Sequence, residues 1–175
     1  IYFGNGMNNT FSDAVSSRIA IEQKLKNELP EDLNIQYGIS YNRKEGFWNQ
    51  LLEVARQKQV DSYSQLYSWF SSVDIAPQWF QDWMKQKATE YNEQEYIDDS
   101  DLQQQIQSYN SNILEGKPVI VVSHSQGNFY ANRAADLINS KSFVVVAVAS
   151  PSRYVAGNGN YTTLRNDFVI DAVRL

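Results

Sequence analysis

Val119-Ile120-Val121-Val122-Ser123-His124-Ser125-Gln126-Gly127-Asn128 is the stretch on which the fold of this chain turns. The β-branched run Pro118–Val122 suits a strand covered on both faces, as strands of parallel sheets are. Asn128–Asn139 then reads as a helix, and Phe143–Ala149 is a second fully apolar strand. Strand, tight turn, helix and strand make one crossover unit, and such units build parallel sheets.

The same pattern extends outward in both directions. Ile1–Phe3 reads as a buried strand running into the glycine-rich turn Asn5-Gly6-Met7. Thr10 and Asp13 form a capping box for a helix in which Phe11, Val15, Ile21, Leu25 and Leu29 recur up to Pro30. Leu33, Ile35, Tyr37 and Ile39 alternate, predicting a strand. Downstream, Tyr161–Leu164 reads as a short strand and Phe168–Leu175 as the start of a helix.

Residues 45–115 differ, being rich in Gln, Tyr, Trp and Asp. Helical periodicity shows in Trp48–Gln59, Tyr63–Ser71 and Gln78–Asn92, and Tyr96–Ser100 reads as a polar loop. The chain is therefore expected to form a single α/β domain, residues 1–175, interrupted by a helical insertion at 45–115. Right-handed crossovers would wind it into a three-layer α/β/α sandwich around a mainly parallel sheet.

Composition narrows the function. With 175 residues, 42% apolar, the chain is long enough to bury one proper core. Its net charge of −5, without a basic cluster, argues against nucleic-acid binding. Cysteine is absent, which removes disulfides, thiolate nucleophiles and Cys-ligated metals. No stretch approaches the roughly 20 apolar residues of a membrane span. A start inside a strand, without Met or a charged leader, is expected to be a processing boundary; a removed signal peptide would favour a secreted or periplasmic location. The end at Leu175 is expected to be a cut as well.

The chemistry lies in Ser123-His124-Ser125-Gln126-Gly127. A serine between a buried strand and a helix sits on a strained turn, so its neighbours must be small. The usual pattern is Gly-x-Ser-x-Gly, and here Ser123 replaces the first glycine while Gly127 keeps the second. Ser125 becomes the candidate nucleophile, and the Gln126 N–H can face a developing oxyanion at the positive end of the helix. The alternative is that Ser125 merely caps the helix.

These residues resemble the α/β-hydrolase superfamily, in particular bacterial lipase- and esterase-like members with a His-Ser-Gln-Gly-Asn elbow. The resemblance implies a second oxyanion donor after the first strand, which would be the Met7 N–H, with Gly6 allowing close approach. It implies the order Ser, acid, His. Asp167, just past a strand, is preferred as the acid over Asp171, which falls on a helix flank; capping the following helix is its other possible role. His124 is the only histidine in the chain, and in family members with His at this position it is structural. Adjacent side chains on a strand diverge, so it is not expected to serve as the base. Lys117 and Lys141 lie at the wrong ends of their elements for a Ser–Lys dyad. Three explanations stay open: a histidine beyond Leu175, a degenerate binding pocket, or another base.

The resulting expectation is a serine hydrolase that cleaves a carboxylic ester of a small-molecule or lipid-like substrate through an acyl-enzyme on Ser125. That mechanism needs neither metal nor organic cofactor. The alternatives are an inactive hydrolase fold used for binding, and a thioesterase or acyltransferase. Tyr63, Tyr67, Trp69, Phe70, Trp79, Phe80 and Trp83 could line a lid over the site or pack the insertion onto the domain.

Overall fold

A computed structural model describes residues 1–6, 9–43, 46–60, 62–70, 74–93, 100–163 and 170. Met7, Asp167, Asp171, most of the Tyr96–Ser100 loop and the Phe168–Leu175 helix lie outside them, apart from the buried Ile170.

Among the described residues, five strands form one sheet in the order β2-β1-β3-β4-β5, and every pairing is parallel. The strands are β1 (Tyr2–Gly4), β2 (Gly38–Ser40), β3 (Val119–His124), β4 (Phe143–Val148) and β5 (Tyr161–Thr162). The helices are α1 (Phe11–Lys26), α2 (Gly46–Gln57), α3 (Tyr63–Phe70), α4 (Gln78–Glu93), α5 (Ser100–Leu114) and α6 (Gly127–Ile138). Among the described residues, no helix is long and apolar enough to cross a membrane.

Local sequence accounts for several of these boundaries. α1 begins at a reciprocal capping box: Asp13 N–H donates to Thr10 Oγ1, and Thr10 N–H donates to the Asp13 carboxylate. That carboxylate is held below its ordinary pKa, first by its side-chain hydrogen bond with Thr10. α6 ends where Asn139 turns left-handed at φ 46°, a conformation that Asn tolerates.

Two expectations need correction. The alternating stretch from Leu33 does not pair as a strand until Gly38. Leu33, Ile35 and Tyr37 instead line a cleft of about 320 Å³ with Leu25, Leu29 and Pro30 beside the end of α1, and Leu33 is 51% exposed. The β3–β4 ribbon is also not evenly covered. Val119, Val121, Val145 and Ala147 are buried, whereas their neighbours across the pleat are half-buried and Val144 is 45% exposed.

The register explains the buried face. Tyr2 pairs with Val121, and Val119 pairs with Phe143, so these side chains share one side of the sheet. Tyr109 of α5 covers that side, with its ring edge-on to Tyr2 at 4.9 Å and tilted against Phe143 at 5.1 Å. Its hydroxyl shares a hydrogen bond with Ser40, and burial drives the phenol's pKa upward, so it stays neutral. α5 and α6 also pack against each other and against β3, while α1 packs on β1 and β2.

The helical segment does not stand apart from this core. Leu51, Ala55, Leu66, Trp69, Phe80 and Met84 belong to the same buried cluster as Val119, Val121 and Tyr130, and Trp79 and Trp83 pack against it. Trp69, Trp79 and Phe80 meet pairwise edge-on at 5.7–5.8 Å. The side chains of Tyr63, Tyr67 and Phe70 lie outside the description. Arg43, where the segment leaves β2, grips Asp101, where it returns in α5: Nε donates to Oδ1 at 2.8 Å and the Arg43 N–H to Oδ2 at 2.7 Å.

Candidate active site

Parallel strands bring all their carboxyl ends to one edge of the sheet. The chain leaves β1 toward β2 on one side and returns to β3 on the other. The β1–β3 crevice is therefore the point at which the winding reverses, where open α/β sheets bind ligands. Two turns meet there, Asn5-Gly6 after β1 and Ser125-Gln126 after β3.

Ser125 has φ 51°, in the left-handed region that a residue with a Cβ enters at a cost of roughly 1–2 kcal/mol. Its N–H donates to Val148 O at 3.0 Å, tying the turn to the end of β4. The residue is 3% exposed, and among the described residues its Oγ has no hydrogen-bond partner. The hydroxyl therefore does not cap α6, whose N-cap residue is Gln126. His124 likewise makes no hydrogen bond to Oγ.

Gly6 is pressed against this serine. A Cβ built on Gly6 would lie 3.1 Å from Ser125 Cβ and 2.7 Å from His124 Nδ1. Glycine thus relieves crowding where the turn after β1 approaches Ser125. Gly127 answers it from the other side, since its Cβ would lie 2.6 Å from Asn5 O and 2.9 Å from Gly4 O. Position 4 is crowded in a similar way, since a Cβ on Gly4 would sit 3.3 Å from Ser123 Cβ.

Buried amides hold both turns in place. Ser123 Oγ donates to Asn128 Oδ1 at 2.7 Å, and Asn128 Nδ2 donates to Ser125 O at 2.8 Å and Val148 O at 3.1 Å. One side chain on the first turn of α6 thereby ties together β3, the elbow and β4. On the other turn, Asn5 Nδ2 donates to Gly6 O at 3.1 Å and Asn42 O at 3.2 Å. Asn42 returns its N–H to Asn5 Oδ1 and its Nδ2 to Asn5 O, both at 2.8 Å. Asn5 and Asn128 stand in stretches already singled out by sequence. Asn42 carried no signal, because its partner is 37 residues away.

Truncating Asn128 should show how much the rivet matters. Asn128→Ala removes three hydrogen bonds, worth roughly 1 kcal/mol each, and strands the Ser123 hydroxyl at 0% exposure. The expected loss is about 3 kcal/mol, read as a lower midpoint in urea with unchanged slope.

α6 points its N-terminus at the crevice. The amides of Asn128 and Phe129 already donate to Ser125 O and Gln126 O, which leaves the Gln126 N–H ahead of the helical ladder. The site thus brings together a hydroxyl without a hydrogen-bond partner among the described residues, a helix start that favours negative charge, and a glycine turn within contact distance. Among the described residues, no group of three or more His, Cys, Asp or Glu could hold a metal ion. The chain matches no protein-family model, no curated protein and no solved structure.

Proposed function

We propose that this chain is a serine hydrolase of the α/β-hydrolase type that cleaves carboxylic esters through an acyl-enzyme on Ser125. The observation that carries the reading is the Ser125 backbone at φ 51° with a buried, unpartnered Oγ facing a glycine turn. Left-handed serines are costly, and a strand-to-helix turn that exposes the hydroxyl to a reacting carbonyl is a known use for that strain. The strand order supports the reading, since it places the elbow at the reversal point of the sheet. The sheet would be the middle of three layers, with α5 and α6 on one side.

In this mechanism Ser125 Oγ attacks the ester carbonyl and forms a tetrahedral intermediate. The Gln126 N–H and the Met7 N–H stabilise its oxyanion, and the positive end of α6 adds to that field. An imidazole takes the Oγ proton and passes it to the leaving alcohol; Asp167 holds that imidazole. Water then attacks the acyl-enzyme by the same route in reverse. His124, the one histidine of the sequence, makes no bond to Oγ, so it does not supply that imidazole in this geometry.

Labelling by a fluorophosphonate is the direct test. The complete protein should gain one phosphonyl adduct by intact mass, mapped to Ser125, and Ser125→Ala should gain none. A second reading, an inactive hydrolase fold that binds such ligands, rests on the lack of an imidazole on Oγ among the described residues. Resistance of the complete protein to the probe would favour it and sink the catalytic one.

A further inference from the structure

Ser125 is not alone in being unsatisfied. Around it the other buried amides and hydroxyls have partners: Asn5 with Asn42, Ser123 with Asn128, and Asn132 with Ser152 Oγ, Tyr154 O and the Ala156 N–H. Gln126 is the exception. It is 1% exposed, yet among the described residues neither Nε2 nor Oε1 has a hydrogen-bond partner. A buried carboxamide left unpaired forfeits its hydration without recompense, where Leu or Met would pack at no such cost. Orphaned groups on consecutive residues, at the reversal point of the sheet, place this cost where a ligand can relieve it.

We infer that the Gln126 carboxamide is the specificity-determining group for the acyl part of the substrate, and that the favoured substrates are esters whose acyl part carries a neutral amide edge. The inference rests on the hydrolase reading of Ser125. A carboxamide presents a donor and an acceptor in one plane. A partner offering an acceptor and a donor side by side and in one plane, as a primary amide or a lactam does, satisfies both at once without a change of charge. A hydrocarbon chain satisfies neither. A carboxylate accepts from Nε2 but leaves Oε1 unpaired and adds an uncompensated buried charge. The acyl part is also the portion that stays on Ser125 through both half-reactions, so it keeps the pair covered throughout. Sites built to hydrogen-bond a substrate group discriminate steeply against the analogue that lacks it.

The test compares the phenyl ester of glutaramic acid with its hydrocarbon isostere, in which isopropyl replaces the carboxamide. The complete protein should favour the amide in kcat/KM by about 100-fold or more. In Gln126→Met that ratio should fall to one or below, while Tm rises by a few degrees because the orphan is gone. Both esters are read on the same variant, so any loss through the oxyanion amide cancels in the ratio. A readout free of turnover is the side-chain NH₂ resonance of Gln126 in wild-type protein, which should shift on adding glutaramide. A ratio near one with no shift overturns the inference, and fluorophosphonate labelling of Ser125 in the same sample leaves the hydrolase reading standing. A shift without hydrolysis or labelling keeps the amide site and overturns the hydrolase reading instead.

Discussion

Ser125→Gly is expected to make the protein more stable and inert at the same time. The left-handed backbone at φ 51° costs a serine roughly 1–2 kcal/mol that glycine does not incur. Removing an Oγ that is buried without a partner recovers about a further 1–3 kcal/mol. Against this stands the larger unfolded-state freedom of glycine, roughly 0.5–1 kcal/mol. The balance favours the variant by about 1–4 kcal/mol, or several degrees in Tm for a domain of this size. Meanwhile no atom is left to accept a phosphonyl or acyl group, so covalent labelling should vanish and ester turnover should fall by at least about 10³. Scanning calorimetry and intact-mass labelling of the same preparations check both halves. If Ser125→Gly proves less stable, the turn is not strained as argued, and the structural case for the nucleophile weakens with it.

What could be read from sequence followed the range of the interactions involved. The β3–elbow–α6–β4 unit was legible because its causes are local: a β-branched run, small residues at 123 and 127, and helical spacing beyond. The Thr10–Asp13 capping box was legible for the same reason, with both partners within one turn. The stretch from Leu33 misled because alternation only sets apolar side chains on one side of an extended segment, and a cleft wall beside α1 uses that pattern as readily as a ladder does. α5 escaped notice although Leu102, Ile106, Tyr109 and Ile113 recur at helical spacing, since glutamines and serines dilute the pattern. Pairs such as Arg43–Asp101 and Asn5–Asn42 join residues 58 and 37 positions apart, and no local rule predicts them. The crossing of two turns at Ser125 is likewise a property of strand order, which fixes what faces what only once β1 lies beside β3.

That crossing makes Gly127→Ala the most disruptive single methyl on offer. Two effects of opposite sign meet in this substitution. Alanine improves helix propensity over glycine by at most about 1 kcal/mol, and less in the first turn than in the interior. The new Cβ would lie 2.6 Å from Asn5 O and 2.9 Å from Gly4 O. Both obstacles are backbone atoms at the exit of β1. Neither can swing aside, because Asn5 O accepts from Asn42 Nδ2 at 2.8 Å and Gly4 is paired in the sheet between Ser40 and Ser123. The start of α6 must therefore back away, and overpacking of this kind costs about 1–3 kcal/mol or more. The clash wins, and the expected net loss is about 2 kcal/mol. The catalytic loss should be larger still. Displacing the α6 start moves the Gln126 N–H and Ser125 relative to the Gly6 turn, and a misplacement near 1 Å costs about 10²-fold in rate. In urea the variant should unfold at a lower midpoint with the same slope, which would show that the native state itself has been weakened. Its labelling rate by a fluorophosphonate, measured where it is still fully folded, should fall about 100-fold. A variant that loses stability but labels at the wild-type rate would separate the close approach of α6 from the chemistry of Ser125.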